Sequence, residues 1–382
     1  MSSTTDRILT THTGSLPRPA GLVEALGLAG DGAADGETQD RMLQEAVAGV
    51  VARQVDAGVD VVSDGEQSKA GYSTYVTERL TGFGGRANPL RAQQDALDFP
   101  EWGEPLMAGI EATLATPACI GDVTYAEPTL MDRDVANLRR ALDGHPATTG
   151  FMTTASPGVI SLFLENQHYA SHEDYLAALA AAMRTEYEAL HASGMLLQID
   201  CPDLAVGRHV QFPDLSLEEW KRTIEVHVEA LNDATRDIPP EAMRIHLCWG
   251  NYEGPHNHDV PLAEILPTVL RARPAEISFE LANPRHEHEW RVFEDVDLPD
   301  DKVLVPGVID STTNYIEHPE LVAERIVRLA RLVGRERVIA STDCGFATFA
   351  GFAPVFPSIV YAKLGALAEG AELASRELWG SS

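Results

Sequence analysis

A single (β/α)8 barrel of the TIM type, with an insertion after the second strand, is the fold this sequence predicts. Three observations lead to it. Eight short apolar runs recur, each ending in polar or glycine-containing residues, and most are separated by stretches with helical periodicity. Eight alternations of strand and helix favour a closed parallel barrel over an open sheet. The chain has 382 residues with no internal repeat and no long low-complexity tract, so one decorated domain over residues 1–382 is preferred to two independent ones.

The expected strands, in order, are "ILTTHTGS" from Ile8, "VDVVSDGE" from Val59, "TTGFMTTASPG" from Thr148, "MLLQIDCP" from Met195, "RIHLCWG" from Arg244, "EISFELANP" from Glu276, "KVLVPGVID" from Lys302 and "RVIASTDCGF" from Arg337. Among the helices, "EDYLAALAAAMRTEYEALHASG" from Glu173 is rich in alanine and leucine and closes at Gly194. "SLEEWKRTIEVHVEALNDA" opens on Ser216 as a cap and sets Leu217, Trp220, Ile224 and Val228 on one face. "PELVAERIVRLARLVG" from Pro319 repeats the pattern. Residues 72–146 are too long for a simple crossover and read as an insertion or lid within the barrel, with an extra hairpin around "PACIGDVTYAEP". "AGDGAADGETQD" from Ala29 reads as a flexible acidic loop.

Fifty-eight acidic against 29 basic side chains leave a formal charge of −29, which repels a phosphate backbone or an anionic membrane. Nucleic acid is not an expected partner. The start, "MSSTTDRILTTHTGSLPRP", lacks the basic stretch and apolar run of a secretory signal, and no run of about 18 apolar residues is long enough to span a bilayer. A cytoplasmic protein is expected. The four cysteines, Cys119, Cys201, Cys248 and Cys344, are too scattered for a disulfide framework and read as buried thiols or metal ligands.

Barrel enzymes carry their reactive groups at the C-terminal ends of the strands. Here those ends hold His12 and Ser15, Asp64 and Glu66, Ser156, Asp200 and Cys201, His246 and Cys248, Glu280, Asp310, and Asp343 and Cys344. In an extended strand, residues two apart point to the same side, so His246 and Cys248 can face one metal ion. Alone, an H-x-C pair also describes two buried strand residues. Cys344 can add a second sulfur from the last strand and Glu280 a carboxylate from the sixth, and a site of imidazole and thiolate suits Zn2+. Cys201 is the strongest substitute ligand and Cys119 falls in the insertion. Two thiolates make zinc a poor Lewis acid for hydrolysis but leave a bound thiol nucleophilic, which points to alkyl transfer onto sulfur.

The ordered set "THTGSLPRP", "SDGEQ", "LQIDCPDLA", "HLCWGN", "FELANP", "PGVID" and "STDCGF" resembles the catalytic barrel of the cobalamin-independent methionine synthase family over nearly the whole chain. The resemblance implies zinc ligands at the same four positions, and it places Ser15, Glu66 and Asp200 around the amino-acid part of homocysteine. His12 and Ser156 join them as candidate substrate contacts, and Asp200, Glu66, Asp310 and His256 are the candidate catalytic residues. The partners implied are a small thiol and an alkyl donor. Two departures stand out. The fourth strand ends Asp200-Cys201-Pro202 where the family has Asp-Glu-Pro. After the seventh strand, Ser311 and Thr312 stand where the synthases carry a histidine proposed to protonate the methyl donor, so a methyltetrahydrofolate donor lacks its expected acid.

Single-barrel epoxyalkane:coenzyme M transferases are similar, and opening of an epoxide by a zinc-bound thiol is the alternative expectation. Its sulfonate needs a cation, for which Arg18, Lys69, Arg208 and Arg285 are candidates. The loop histidines His256, His258, His286 and His288 are read as orienting donors, proton shuttles, a second metal site or plain polar surface. A zinc hydrolase or decarboxylase and a metal-storage protein are the remaining classes, and two cysteine ligands argue against hydrolysis.

Overall fold

The computed structural model describes residues 6–28, 33–88, 93–105, 117–146, 148–351 and 353–380. All eight expected strands form where they were read: β1 Leu9–Thr10, β2 Val61–Ser63, β3 Thr149–Ala155, β4 Leu196–Asp200, β5 Met243–His246, β6 Glu276–Phe279, β7 Val303–Ile309 and β8 Ile339–Thr342. Neighbours run in the order β1-β8-β7-β6-β5-β4-β3-β2, all parallel. The seam between β1 and β2 is bridged by Asp60 N donating to Thr10 O at 3.2 Å and Thr11 Oγ1 donating to Val61 O at 3.0 Å. The result is a nearly closed eight-stranded barrel.

Each strand leads to one outer barrel helix, with shorter helices ahead of some of them: α1 Gly36–Asp56, α2 Pro128–Leu142, α3 His172–Ala192, α4 Leu217–Ala234, α5 Leu262–Val269, α6 Val292–Asp295, α7 Pro319–Val333 and α8 Pro357–Trp379. Ser216 caps α4 as expected and forms a reciprocal capping box with Glu219. Trp220, Ile224 and Val228 of that helix are buried. In α7, Val322, Ile326 and Leu329 recur on one face and disappear under α8, the spacing of a helix lying on a core. The sixth crossover has only the one-turn α6, preceded by a 3-10 turn over Glu287–Arg291.

Two local expectations need correction. Residues 36–40 of the supposed acidic loop are the start of α1, because Asp35 accepts a hydrogen bond from Thr38 N at 2.9 Å and caps the helix; residues 29–32 of that loop lie outside the described residues. The C-terminal part of the stretch 72–146 is α2, the barrel's own second helix. Ahead of it, Phe83–Gly84 pairs antiparallel with Ala118–Cys119, so the extra ribbon joins distant segments instead of forming a tight hairpin. Residues 89–92 and 106–116 of that stretch lie outside the described residues.

The insertion reaches the barrel mouth. Trp102 packs at a tilt against Tyr252 with ring centroids 5.5 Å apart and donates from Nε1 to Glu253 O at 3.1 Å. Tyr252 donates to Asp95 at 3.1 Å, and His258 pairs with Asp98 at 2.6 Å. These contacts lay residues 95–102 across the loop that leaves β5. No described helix is long and apolar enough to cross a membrane.

Inside the barrel, the floor beneath the mouth is polar. Arg244 is fully buried, paired with Glu276 at 2.7 Å and bonded to Gln198 Oε1 at 3.2 Å and Thr11 Oγ1 at 3.3 Å. Arg244 and His246 alternate along β5, as Gln198 and Asp200 do along β4, so the floor and the reactive layer share one face of the pleat. Gln198 joins the layers by donating to Asp200 at 3.0 Å.

Candidate active site

The chain stays extended past β5, where Leu247 N donates to Ser278 O at 2.8 Å, so His246 and Cys248 both turn into the mouth. Cys344 arrives two residues after β8, and Glu280 one residue after β6. Cys344 Sγ lies 3.2 Å from Cys248 Sγ, 3.7 Å from His246 Nε2 and 3.6 Å from Glu280 Oε1. The donor atoms of His246, Cys248 and Cys344 all fall within 4.8 Å of one another. Ligands around a tetrahedral zinc stand roughly 3.3–3.8 Å apart, given bonds of about 2.0–2.3 Å. The distances from Cys344 to His246 and Glu280 fall in that range, and the sulfur–sulfur distance lies just below it. All four cysteines are free, and neither Cys119 nor Cys201 joins the cluster.

Each donor is braced from outside. Ser278 Oγ meets His246 Nδ1 at 3.1 Å, which leaves Nε2 for the centre. Gly250 N donates to Cys248 Sγ at 3.2 Å. Glu280 accepts from Trp249 N at 2.7 Å and from Asn283 Nδ2 at 2.8 Å. Asp343 holds the turn behind Glu280 by accepting from the backbone N–H groups of Leu281, Ala282 and Asn283, each at 2.8 Å. That approach needs Gly307 on β7, where a Cβ would stand 2.5 Å from Asp343 Cα. The sequence reading does not single out Ser278, Asn283 and Gly307, although all three sit inside the "SFELANP" and "PGVID" runs.

The electrostatics suit a site that handles thiols. The hydrogen bond from Cys344 draws the Cys248 thiol below its ordinary value, whereas burial and the adjacent sulfur push Cys344 well above it. Burial and the Cys248 charge raise Glu280, and burial lowers His246 to about 4, keeping it a neutral donor.

Beside this cluster lie two buried carboxylates. Asp200, paired in register with His246, is pushed up to about 7 by burial and then by the charge of Glu66. Glu66 sits in the left-handed region at φ 56°, strain of the kind found at functional sites. Its Oε1 accepts from Thr153 Oγ1 at 2.9 Å, and its buried Oε2 has no hydrogen-bond partner. Ser15 Oγ accepts from Ala347 N at 3.3 Å and packs against Gly345, beside Cys344. A cavity of about 370 Å³ opens above, walled by His256, Glu280, Arg285, Asp310 and Cys344 among others.

Three expected site residues are engaged elsewhere. His12 accepts from Gly14 N at Nδ1 (3.2 Å) and meets Gln54 Oε1 at Nε2 (2.7 Å), so it braces the β1 loop as a neutral ring instead of facing a substrate. Ser156 caps the helix Pro157–Phe163 by accepting from Val159 N, and donates to Asp203 at 2.7 Å. His256 has both ring nitrogens occupied, by Asp259 at 2.8 Å and by the Tyr252 carbonyl at 3.0 Å, so its two protons are held by these acceptors instead of facing a substrate. Asp310 does wall the cavity. Burial works to raise it, but hydrogen bonds from Thr313 and Thr312 hold it below its ordinary value, so it accepts and does not act as an acid.

His12 yields a stability prediction. Burial lowers it to about 4 from the ordinary histidine value of 6.5, so the unfolded chain binds the extra proton between those values and stability falls as pH drops from 6.5 toward 4. The loss is about 3 kcal/mol. Urea midpoints followed over that window are expected to vary less for His12→Asn than for the wild type; parallel curves would show that His12 is not held neutral.

The fold and the site define a class: parallel (β/α)8 barrels with a sulfur-, nitrogen- and carboxylate-bearing candidate metal site at the mouth. The family described as "Cobalamin-independent synthase, Catalytic domain" matches residues 8–358, and the chain belongs to that family. It is similar to the methionine synthase of Saccharolobus solfataricus, 26% identical over 97% of this chain and 95% of that protein, and to that of Thermococcus kodakarensis, 25% identical over 97% and 94%. Its fold is that of a B12-independent methionine synthase from Shewanella sp. W3-18-1 solved with selenomethionine, with a TM-score of 0.76, 22% identity and coverage of 98% and 99%.

Proposed function

We propose that this chain is a zinc-dependent methyltransferase that moves a methyl group onto the thiol of homocysteine. The observation that carries the reading is the convergence of Cys248, Cys344, His246 and Glu280 beside the buried Glu66 and Asp200. The first four residues would hold zinc, which supplies a positive charge that keeps a substrate thiol deprotonated at neutral pH. The acidic pair suits the ammonium of an amino acid, with the free Glu66 Oε2 as one acceptor. Ser15 stands beside Gly345 and Ala347, where a hydroxyl can donate to the substrate carboxylate. In the transfer, a sulfur–carbon bond forms as the bond from the methyl carbon to the donor breaks, and the walls orient the two partners. Asp310 lines the cavity in which the donor would sit, and residues 95–102 shield the mouth. The four free cysteines accord with a cytoplasmic setting.

The alternative, opening of an epoxyalkane by the thiol of coenzyme M, draws on Arg285 in the cavity wall. Arg18 is spent on the carbonyls of Ala347, Glu66 and Lys69, and Lys69 on Thr153, so neither is free for a sulfonate. Two buried carboxylates repel such a group. The test is a product assay: purified protein with homocysteine and methyltetrahydrofolate, with homocysteine and a sulfonium methyl donor, and with coenzyme M and an epoxyalkane. Methionine in either of the first two supports the proposal. A thioether from coenzyme M, with no methionine, would replace it by the alternative.

A further inference from the structure

Behind the thiol cluster lies a second group of buried donors that the proposed reaction does not use. Asp259 Oδ2 is shared by His256 Nδ1 at 2.8 Å and His286 Nε2 at 2.9 Å, and the ligand atoms of these three residues lie within 4.8 Å of one another. Each ring turns its other nitrogen to a fixed acceptor: His256 Nε2 to the Tyr252 carbonyl at 3.0 Å, and His286 Nδ1 to Glu289 at 2.8 Å. Carboxylates and carbonyls behind imidazoles are how proteins orient histidines toward a metal. Glu289 is itself anchored by Leu262 N at 2.7 Å.

Unpartnered atoms lie beside that trio, on the Asp259 side. His209, 4% exposed, has neither ring nitrogen hydrogen-bonded, and Asp259 Oδ1 is also buried without a partner. The two face each other, His209 Nε2 to Asp259 Oδ1, at 3.6 Å. That is too long for a hydrogen bond. Burying such atoms unpaired is costly, and a ligand shared by His209 Nε2 and Asp259 Oδ1 offsets that cost for those two. The backbone is strained at the same point, with His256 at φ 52°.

We propose that His209, His256, Asp259 and His286 form a second metal site for a borderline divalent ion of the Zn2+ class. Three imidazoles and one carboxylate select such an ion over Mg2+ or Ca2+, which require oxygen ligands. Charge balances: the ion takes the place of the two ring protons that lie against Asp259, and these leave to solvent. The site is distinct from the thiol cluster, because Trp249 stands between them, its ring 4.4 Å from that of His286 and its backbone N–H on Glu280. A bound ion ties the loops after β4, β5 and β6 together behind Glu280. The inference does not depend on the methyl-transfer reading.

The test is metal stoichiometry on the full chain, titrated with Zn2+ and with Co2+. Wild type is expected to bind two equivalents. The double variant Cys248→Ser/Cys344→Ser is expected to keep one, whose X-ray absorption shell holds nitrogen and oxygen and no sulfur. Adding His209→Ala to that variant is expected to weaken the remaining ion at least about tenfold. Because His209 bonds nothing in the network, its loss leaves the metal-free fold intact, which circular dichroism checks. Should the cysteine variant not fold, wild type with Co2+ decides: the second equivalent is expected to add no thiolate charge-transfer absorption. One equivalent in wild type, or an affinity for the second ion untouched by His209→Ala, would overturn the proposal.

Discussion

Replacing Cys344 with serine is expected to abolish methyl transfer and to remove zinc from the thiol cluster while the barrel stays folded. Cys344 is the hub, in reach of Cys248, His246 and Glu280 at once. Its loss leaves one sulfur and breaks the donor set at its centre. Activity is expected to fall by more than about 100-fold, beyond the range that residues behind the ligands produce. The local backbone should survive, because Ser311 Oγ holds the Cys344 amide at 3.2 Å and Asp343 holds its neighbouring turn, and neither contact involves the sulfur. Zinc content, product formation and thermal midpoint on one preparation check this. A Cys344→Ser protein with normal turnover would remove this cysteine from the mechanism.

Asp200→Asn and Glu66→Gln are expected to produce the second largest effect, of a different kind. Losing one member of a buried charge pair with the substrate ammonium costs about 2–4 kcal/mol, on the order of 30- to 1,000-fold in kcat/KM for homocysteine. Zinc content should be unchanged. Stability should hold or rise for Asp200→Asn, since burial already pushes that carboxyl toward its neutral form. A thiol lacking the amino group separates the readings: it should be a poor substrate for the wild type and respond little to either substitution. Equal losses with both thiols would assign the pair to the fold and not to the substrate.

The eight strands and the four donors of the thiol cluster were legible because the signals are local and repeated. Each strand is a short apolar run with a reactive end, and "HLC", "FEL" and "TDC" place their donors at the ends of strands that the barrel then gathers. The misread positions share a different physics. His12, Ser156 and His256 carry reactive groups at the expected strand ends or loops, but Gln54, Val159 and Asp259 engage them first. Of these partners, Gln54 reaches its histidine across 42 positions and only by tertiary folding. Asp35 shows the opposite failure: a cap three residues before Thr38 was present in the sequence and was absorbed into an acidic loop. His209 gave no motif at all, since its relation to Asp259 exists only once β4 and β5 are neighbours.

The central claim is that the Cys248–Cys344 cluster brings a substrate thiol to zinc, and zinc-edge X-ray absorption tests it most directly. With one equivalent of zinc loaded, the account predicts two sulfur neighbours, rising to three when homocysteine is added and staying at two with coenzyme M. A shell without sulfur, or a sulfur count that homocysteine leaves unchanged, would contradict it.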